Sequence, residues 1–154
     1  MNMTKEIKDA LALQKPQEKV SKLEQLSDVF EYDHSLSEED VIEGTKLLLD
    51  AALQERNQFV KEHLFYTMYE SVLHQGIGNC VDWDVLADIL SSLGKMQLEE
   101  ALGILGFSGQ KRYLPFLVDY THNADPEIRE WALDAIEEIN YRLAHTSDNR
   151  IKTK

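Results

Sequence analysis

The chain has 154 residues, of which 16 are Lys or Arg and 28 are Asp or Glu, so its formal charge at neutral pH is −12. This length fits one domain that buries about 70% of its unfolded surface, and a hydrophobic content of 43% is typical of a globular chain. The acidic charge excludes direct binding to nucleic acid or to an anionic membrane, because both need clustered Lys and Arg.

Helical periodicity runs through almost the whole sequence, and the few Gly and Pro residues lie between the periodic segments. The pattern predicts eight helices and almost no strand. These helices are predicted at about 4–14, 16–32, from Ser37 to beyond Ala52, 57–75, from Asp82 to Gly94, 96–107, 110–121 and 125–144.

Capping residues mark several of these boundaries. Pro16 suits the first turn of the second helix, because its missing N–H costs nothing there. Ser37 is a candidate N-cap and is followed by three acids, which favour a helix start. Gly76 and Gly94 are candidate C-caps of the fourth and fifth helices. The fifth helix is predicted to bury Val85, Leu86, Ile89, Leu90 and Leu93.

A specific repeat pattern occurs near the C-terminus. Its first half reads Leu114-Pro115-Phe116-Leu117-Val118. Its second half runs from Asp125-Pro126 through Ile128-Arg129 to the small pair Ala132 and Ala135 and the aliphatic Ile139. Residues 112–139 therefore resemble a HEAT repeat. Asn123 stands where many HEAT repeats carry Asp, which weakens the Asp–Arg ladder expected with Arg129.

Weaker similarity to the same repeat precedes it, over 82–107 and then over 37–75. The resemblance implies an all-α fold, namely a short right-handed solenoid of about four antiparallel helix pairs in which the first and last pairs act as caps. We expect a single HEAT-like domain over 1–145 and a polar basic tail over 146–154.

Residue patterns for metal binding or catalysis are thin. Glu31 and His34 have the spacing of a Glu-x-x-His metal pair, and Asp119 and His122 have a similar spacing. Both pairs fall at predicted helix ends, and no mid-helix Glu completes a di-iron set. Cys80 precedes two aspartates, which disfavour a reactive thiolate. We therefore predict no catalytic residue, no metal and no cofactor, and a small-molecule ligand is disfavoured.

Two features that the sequence lacks, a second cysteine and a long apolar segment, indicate the cellular compartment. A single cysteine rules out an internal disulfide and is typical of a reducing environment. The longest apolar runs are far shorter than the roughly 20 residues that span a bilayer, and the first residues lack the apolar core of a signal peptide. We therefore expect a cytoplasmic protein.

Charge is unevenly distributed along the chain. Residues 140–154 carry four basic and one acidic side chain, so residues 1–139 carry a charge of −15. On the last helix, acids and aromatics form a stripe separate from the buried stripe. With two acids of the sixth helix, the stripe predicts a site for a basic partner: Glu127, Glu130, Trp131, Asp134, Glu138, Tyr141, Glu99 and Glu100. The alternative is a solvated helix face with Trp131 partly covered by the preceding helix.

The HEAT resemblance implies a non-enzymatic protein that binds macromolecules along its second helices. The acidic charge favours an immunity protein that occludes a basic, nuclease-type secreted bacterial toxin, because complementary charge speeds association. The alternative is a HEAT adaptor, scaffold or lyase-like accessory subunit with another protein partner. HEAT-like DNA glycosylases are disfavoured, because they need a basic concave surface.

Overall fold

The computed structural model describes the backbone of residues 1–153 and the side chains of residues 1–145. The described backbone is all-helical and contains no strand. Its α-helices are α1 (Met3–Ala12), α2 (Pro16–Tyr32), α3 (Glu38–Gln54), α4 (Gln58–Gln75), α5 (Asp84–Asp88), α6 (Lys95–Ser108), α7 (Leu114–Tyr120) and α8 (Pro126–Thr153). Short 3₁₀ turns occur at Gly78–Cys80, Leu90–Ser92 and Lys111–Tyr113. The side chains of the predicted basic tail, 146–154, lie outside the described residues.

Most predicted helix boundaries are confirmed. Pro16 occupies the first turn of α2, and the Ser37 hydroxyl caps α3 by accepting the N–H of Asp40 at 3.1 Å. Helix α4 ends at Gly76, whose φ of 67° lies in the left-handed region that glycine adopts most readily. The backbone of α8 continues past Ala144, where the sequence predicted its end.

The fifth helix is shorter than predicted, and its predicted buried set is confirmed only for Leu86 and Leu90, which are 0% and 2% exposed. Helix α5 stops at Asp88, and the chain then forms the 3₁₀ turn Leu90–Ser92. The break near Ile89 means that the five apolar side chains do not share one helical face, and Val85 is 54% exposed. Gly94 is the N-cap of α6 rather than a C-cap, with an ordinary φ of −68°.

The chain groups into two compact units, Met1–Val81 and the part from Asp82 onward. In the first unit, α1 packs on α2 and α3, and α4 packs on α2 and α3. The Asp40 carboxylate accepts the N–H groups of Met3 and Thr4 and the Thr4 hydroxyl. Partial burial alone would raise the pKa of Asp40, but these hydrogen bonds outweigh it and lower that pKa. Asp40 therefore caps α1.

In the second unit, α8 packs on α6 and α7. Gly106 allows the close approach of α6, because a Cβ built there would lie 2.8 Å from the Cα of Ala135. Gly109 has a φ of 64° and ends α6. Among the described residues, no helix is long and apolar enough to cross a bilayer.

Candidate functional site

Helix α8 presents one continuous exposed face. Ile128, Ala132, Ala135 and Ile139 are buried, and the exposed positions alternate with them along the helix. Five exposed residues recur at spacings of three and four, which places them on one side of α8. We call these residues the outer acidic face: Glu130, Leu133, Asp134, Glu137 and Tyr141.

The carboxylates of this face are electrostatically available. Among the described side chains, Glu130, Asp134 and Glu137 take part in no ion pair. At a rise of 1.5 Å per residue, they place three negative charges within about 10 Å of helix. Such a line of unneutralised charge attracts a cationic surface and repels an anionic one.

Two apolar groups lie among these charges. The Leu133 side chain is 55% exposed and that of Tyr141 is 58% exposed. The Tyr141 ring stacks on His145, with 3.8 Å between ring centroids, and it borders a shallow depression that Asp134, Glu137 and Glu138 also line. Leu133 was not predicted as a member of this face, although its spacing of three from Glu130 and four from Glu137 places it there.

The N-terminal end of α8 is partly neutralised within the chain. Nζ of Lys95 lies 3.0 Å from Oδ2 of Asp125 and 3.3 Å from Oε1 of Glu127. The hydrogen bond from Lys95 lowers the pKa of Asp125, and the two carboxylates together raise the pKa of Lys95. Glu127 is exposed, but a partner would have to compete with Lys95 for it.

Trp131 belongs to the contact between α8 and α6. It is half-buried, and its side chain forms a hydrogen bond with Glu99. Burial raises the pKa of Glu99, the charges of Glu127 and Asp125 add to this, and Lys95 and Trp131 oppose it without cancelling it. Trp131 therefore lies beside the outer acidic face rather than on it.

The predicted site residues thus separate by exposure. Glu130, Asp134 and Tyr141 lie on the outer acidic face, and Glu127 is exposed at its N-terminal end. Glu138 is half-buried and lies 3.4 Å from Nε of Arg142. Glu100 is only 8% exposed, so it lies beneath the surface that it was predicted to form.

The structure also locates the residues that were considered for metal binding or catalysis. His34 and His122 are exposed, and the groups that approach Glu31 are Glu70 and His74 rather than His34. Cys80 is exposed, and partial desolvation and the charge of Glu38 raise the pKa of its thiol. The thiol is therefore protonated at neutral pH, for reasons other than the two adjacent aspartates.

Comparison with known proteins gives no indication of function, so the functional inference rests on the surface of this protein. No protein-family model, curated protein or solved structure matches this chain. The HEAT resemblance stays a prediction from the motif over 112–139, and the outer acidic face carries the functional inference.

Proposed function

We propose that this chain is a non-enzymatic cytoplasmic protein that binds a basic protein partner through the outer acidic face. The observation that carries the proposal is the set of three carboxylates around Leu133 and Tyr141, which have no ion-pair partner among the described side chains. The partner that fits best is the nuclease-type domain of a secreted bacterial toxin, which this chain would neutralise as an immunity protein.

Charge and apolar area have different roles in this binding. A nuclease needs a basic groove to hold nucleic acid, and the line of carboxylates steers that groove toward α8. Leu133 and Tyr141 then provide apolar and aromatic contact at the centre, where binding energy is usually concentrated. Occupation of the groove by α8 excludes the nucleic acid and stops cleavage without any chemical step.

We further propose that the fold is a short right-handed HEAT-like solenoid of about four antiparallel helix pairs. In the first unit α1 packs on α3 and α2 packs on α4, as expected where one helix pair stacks on the next. Packing of α6 on α8 continues the pattern in the second unit. Nη1 of Arg129 donates to the carbonyl of Asn123 at 2.8 Å, where other HEAT repeats use an Asp–Arg contact.

A second candidate function is that of an adaptor with a less charged partner. Helix α4 exposes Phe59, Tyr66 and Leu73 at intervals of seven residues, with exposed fractions of 43%, 44% and 38%. This spacing gives an apolar stripe on one helix face. An adaptor would bind through this stripe, and its binding would depend little on salt.

The experiment reverses charge on α8. We expect Glu130→Lys with Asp134→Lys to slow association with a basic nuclease-type toxin domain on the order of 10- to 100-fold at low salt, because electrostatic steering is lost. Association rates are measured by surface plasmon resonance across a salt series. The control is Glu39→Lys with Glu43→Lys, an exposed pair at the same spacing on α3 with the same change in charge.

Two further variants separate the candidates. Leu133→Ala should speed dissociation and leave association nearly unchanged, because an apolar contact acts after encounter. Tyr66→Ala should have no effect on toxin binding. If the α3 pair slows association as much as the α8 pair, net charge and not this face is responsible. A loss of toxin binding with Tyr66→Ala alone would place the interface on α4 instead of α8.

A further inference from the structure

Two carboxylates and an imidazole converge where α2 meets α4. Glu31 lies in the last turn of α2, and Glu70 and His74 lie one turn apart on α4. One ligand atom from each residue lies within 4.8 Å of the other two. None of these residues belongs to the outer acidic face.

Glu70 is the unusual member of this group. It is only 7% exposed, and its buried Oε2 accepts no hydrogen bond. Nε2 of His74 is 2.8 Å from that oxygen, but the pair lacks the alignment of a hydrogen bond. A buried carboxylate needs a compensating donor or cation. Oε2 of Glu70 and Nε2 of His74 lie side by side, as two ligands of one ion do.

The ligand types select the class of cation. Two carboxylate oxygens and one imidazole nitrogen suit first-row divalent ions such as Zn²⁺, whereas Mg²⁺ and Ca²⁺ prefer oxygen alone. At a tetrahedral ion, metal–ligand bonds of about 2.0–2.2 Å place neighbouring ligand atoms about 3.3–3.6 Å apart. Oε2 of Glu70 and Nε2 of His74 are 2.8 Å apart, so the pair needs to open only slightly to accept an ion. Glu31 is half-buried, and a rotation of its long side chain completes the set.

We propose that Glu31, Glu70 and His74 bind one divalent transition-metal ion of the Zn²⁺ class, which links the C-terminal end of α2 to α4. Three protein ligands leave at least one coordination position for water. Because the ion bridges two helices of the folded chain, its binding stabilises the first unit by mass action. The site goes beyond the proposed binding function and does not depend on it.

The test uses the full chain after treatment with a chelator. Calorimetric titration with Zn²⁺ should show one ion per chain, and Zn²⁺ should raise the thermal unfolding temperature. Glu70→Gln and His74→Gln should each weaken Zn²⁺ binding on the order of 100-fold. Glu31→Gln, at a half-buried position, should also weaken it, and circular dichroism checks that each variant is folded.

His63→Gln is the matched control. His63 on α4 lies 3.3 Å from Glu24 on α2, so it places the same residue types across the same two helices without a second carboxylate. Its loss should leave Zn²⁺ affinity unchanged. Co²⁺ should bind with a visible absorption band that His74→Gln removes and His63→Gln retains.

Three results would overturn the proposal. Absence of saturable Zn²⁺ binding would mean that His74 serves only as a structural neighbour of Glu70. Equal weakening by His63→Gln and His74→Gln would mean that Zn²⁺ binds histidines of the surface at random. Displacement of Zn²⁺ by an equal concentration of Mg²⁺ would indicate a general acidic patch. Each result leaves the partner-binding proposal standing, because that proposal uses other residues.

Discussion

Tyr113 joins three neighbours in the second unit through a single hydroxyl. This oxygen accepts the backbone N–H of Trp83 and a guanidinium N–H of Arg112, each at 2.9 Å. It donates to Oδ1 of Asp84, also at 2.9 Å. Tyr113 is 1% exposed. Burial, together with the hydrogen bond to Asp84, raises the pKa of Tyr113 to about 12.

Tyr113→Phe should lower the free energy of unfolding by about 1–3 kcal/mol, because it leaves the N–H of Trp83 without its acceptor. Urea denaturation at neutral pH measures this difference. Tyr120→Phe is the control, since it removes the hydroxyl of a tyrosine that is only half-buried. An equal loss in both variants would contradict a specific role for the Tyr113 network.

The same variant tests the pKa of Tyr113. The folded-state pKa of about 12 exceeds the ordinary value of about 10, so the folded chain holds this proton after the unfolded chain has released it. Stability of the wild type should therefore fall as the pH rises from about 10 to about 12. Tyr113→Phe lacks this loss, so the stability difference between the two proteins should narrow there. A difference that stays constant would contradict the raised pKa.

At the scale of elements, the contact between α6 and α8 depends on a missing side chain. A Cβ at Gly106 would lie 2.8 Å from the Cα and 3.0 Å from the Cβ of Ala135. The Cα belongs to the helix backbone and the Cβ is bonded directly to it, so neither atom can rotate away. Gly106 and Ala135 therefore set how closely the two helices approach.

Gly106→Ala should destabilise the protein by about 1–3 kcal/mol, because the helices must move apart. This outcome opposes helix propensity, which favours Ala over Gly by about 1 kcal/mol. Gly44→Ala is the matched control within α3, where the new Cβ would lie 2.7 Å from Cδ1 of Ile7 and 3.5 Å from Cγ of Met3, both atoms of side chains that can rotate. Thermal unfolding should show a smaller loss for Gly44→Ala, and a reversed order would contradict the packing role of Gly106.

Helix boundaries were predictable where short-range chemistry decides them. Ser37 and Gly76 act as caps through their own backbone conformation and neighbouring residues, which the sequence displays directly. The end of α5 was not predictable, since apolar periodicity continues through Ile89 and Leu93. Contacts with residues far along the chain, such as that between Asp84 and Arg112 at 2.9 Å, position this segment.

At the scale of the whole molecule, the net charge of −12 opposes the compact state through self-repulsion. Exposed ion pairs such as Lys5–Asp9, at 3.0 Å, offset this only slightly. The same excess of negative charge attracts a basic partner. Folding and binding should therefore respond to salt in opposite directions.

Raising ionic strength from about 0.01 M to about 0.15 M shortens the screening length from about 30 to about 8 Å. We expect the thermal unfolding temperature of the isolated chain to rise, because repulsion is screened, while association with a basic partner slows. Calorimetry with sodium chloride and with choline chloride should give the same rise, since screening depends on ionic strength. A fall with either salt would show that ion pairs outweigh the net repulsion.

The helical class, most helix boundaries and the acidic character of α8 are predictable from the sequence alone, because they follow from periodicity, capping chemistry and composition. Which acids are available to a partner depends on the tertiary structure. Lys95 pairs with Asp125 and Glu127, and Trp131 turns toward Glu99. The tertiary structure also brings Glu31 close to Glu70 and His74 rather than to His34. These outcomes depend on which helices pack together, and spacing along one helix cannot show that.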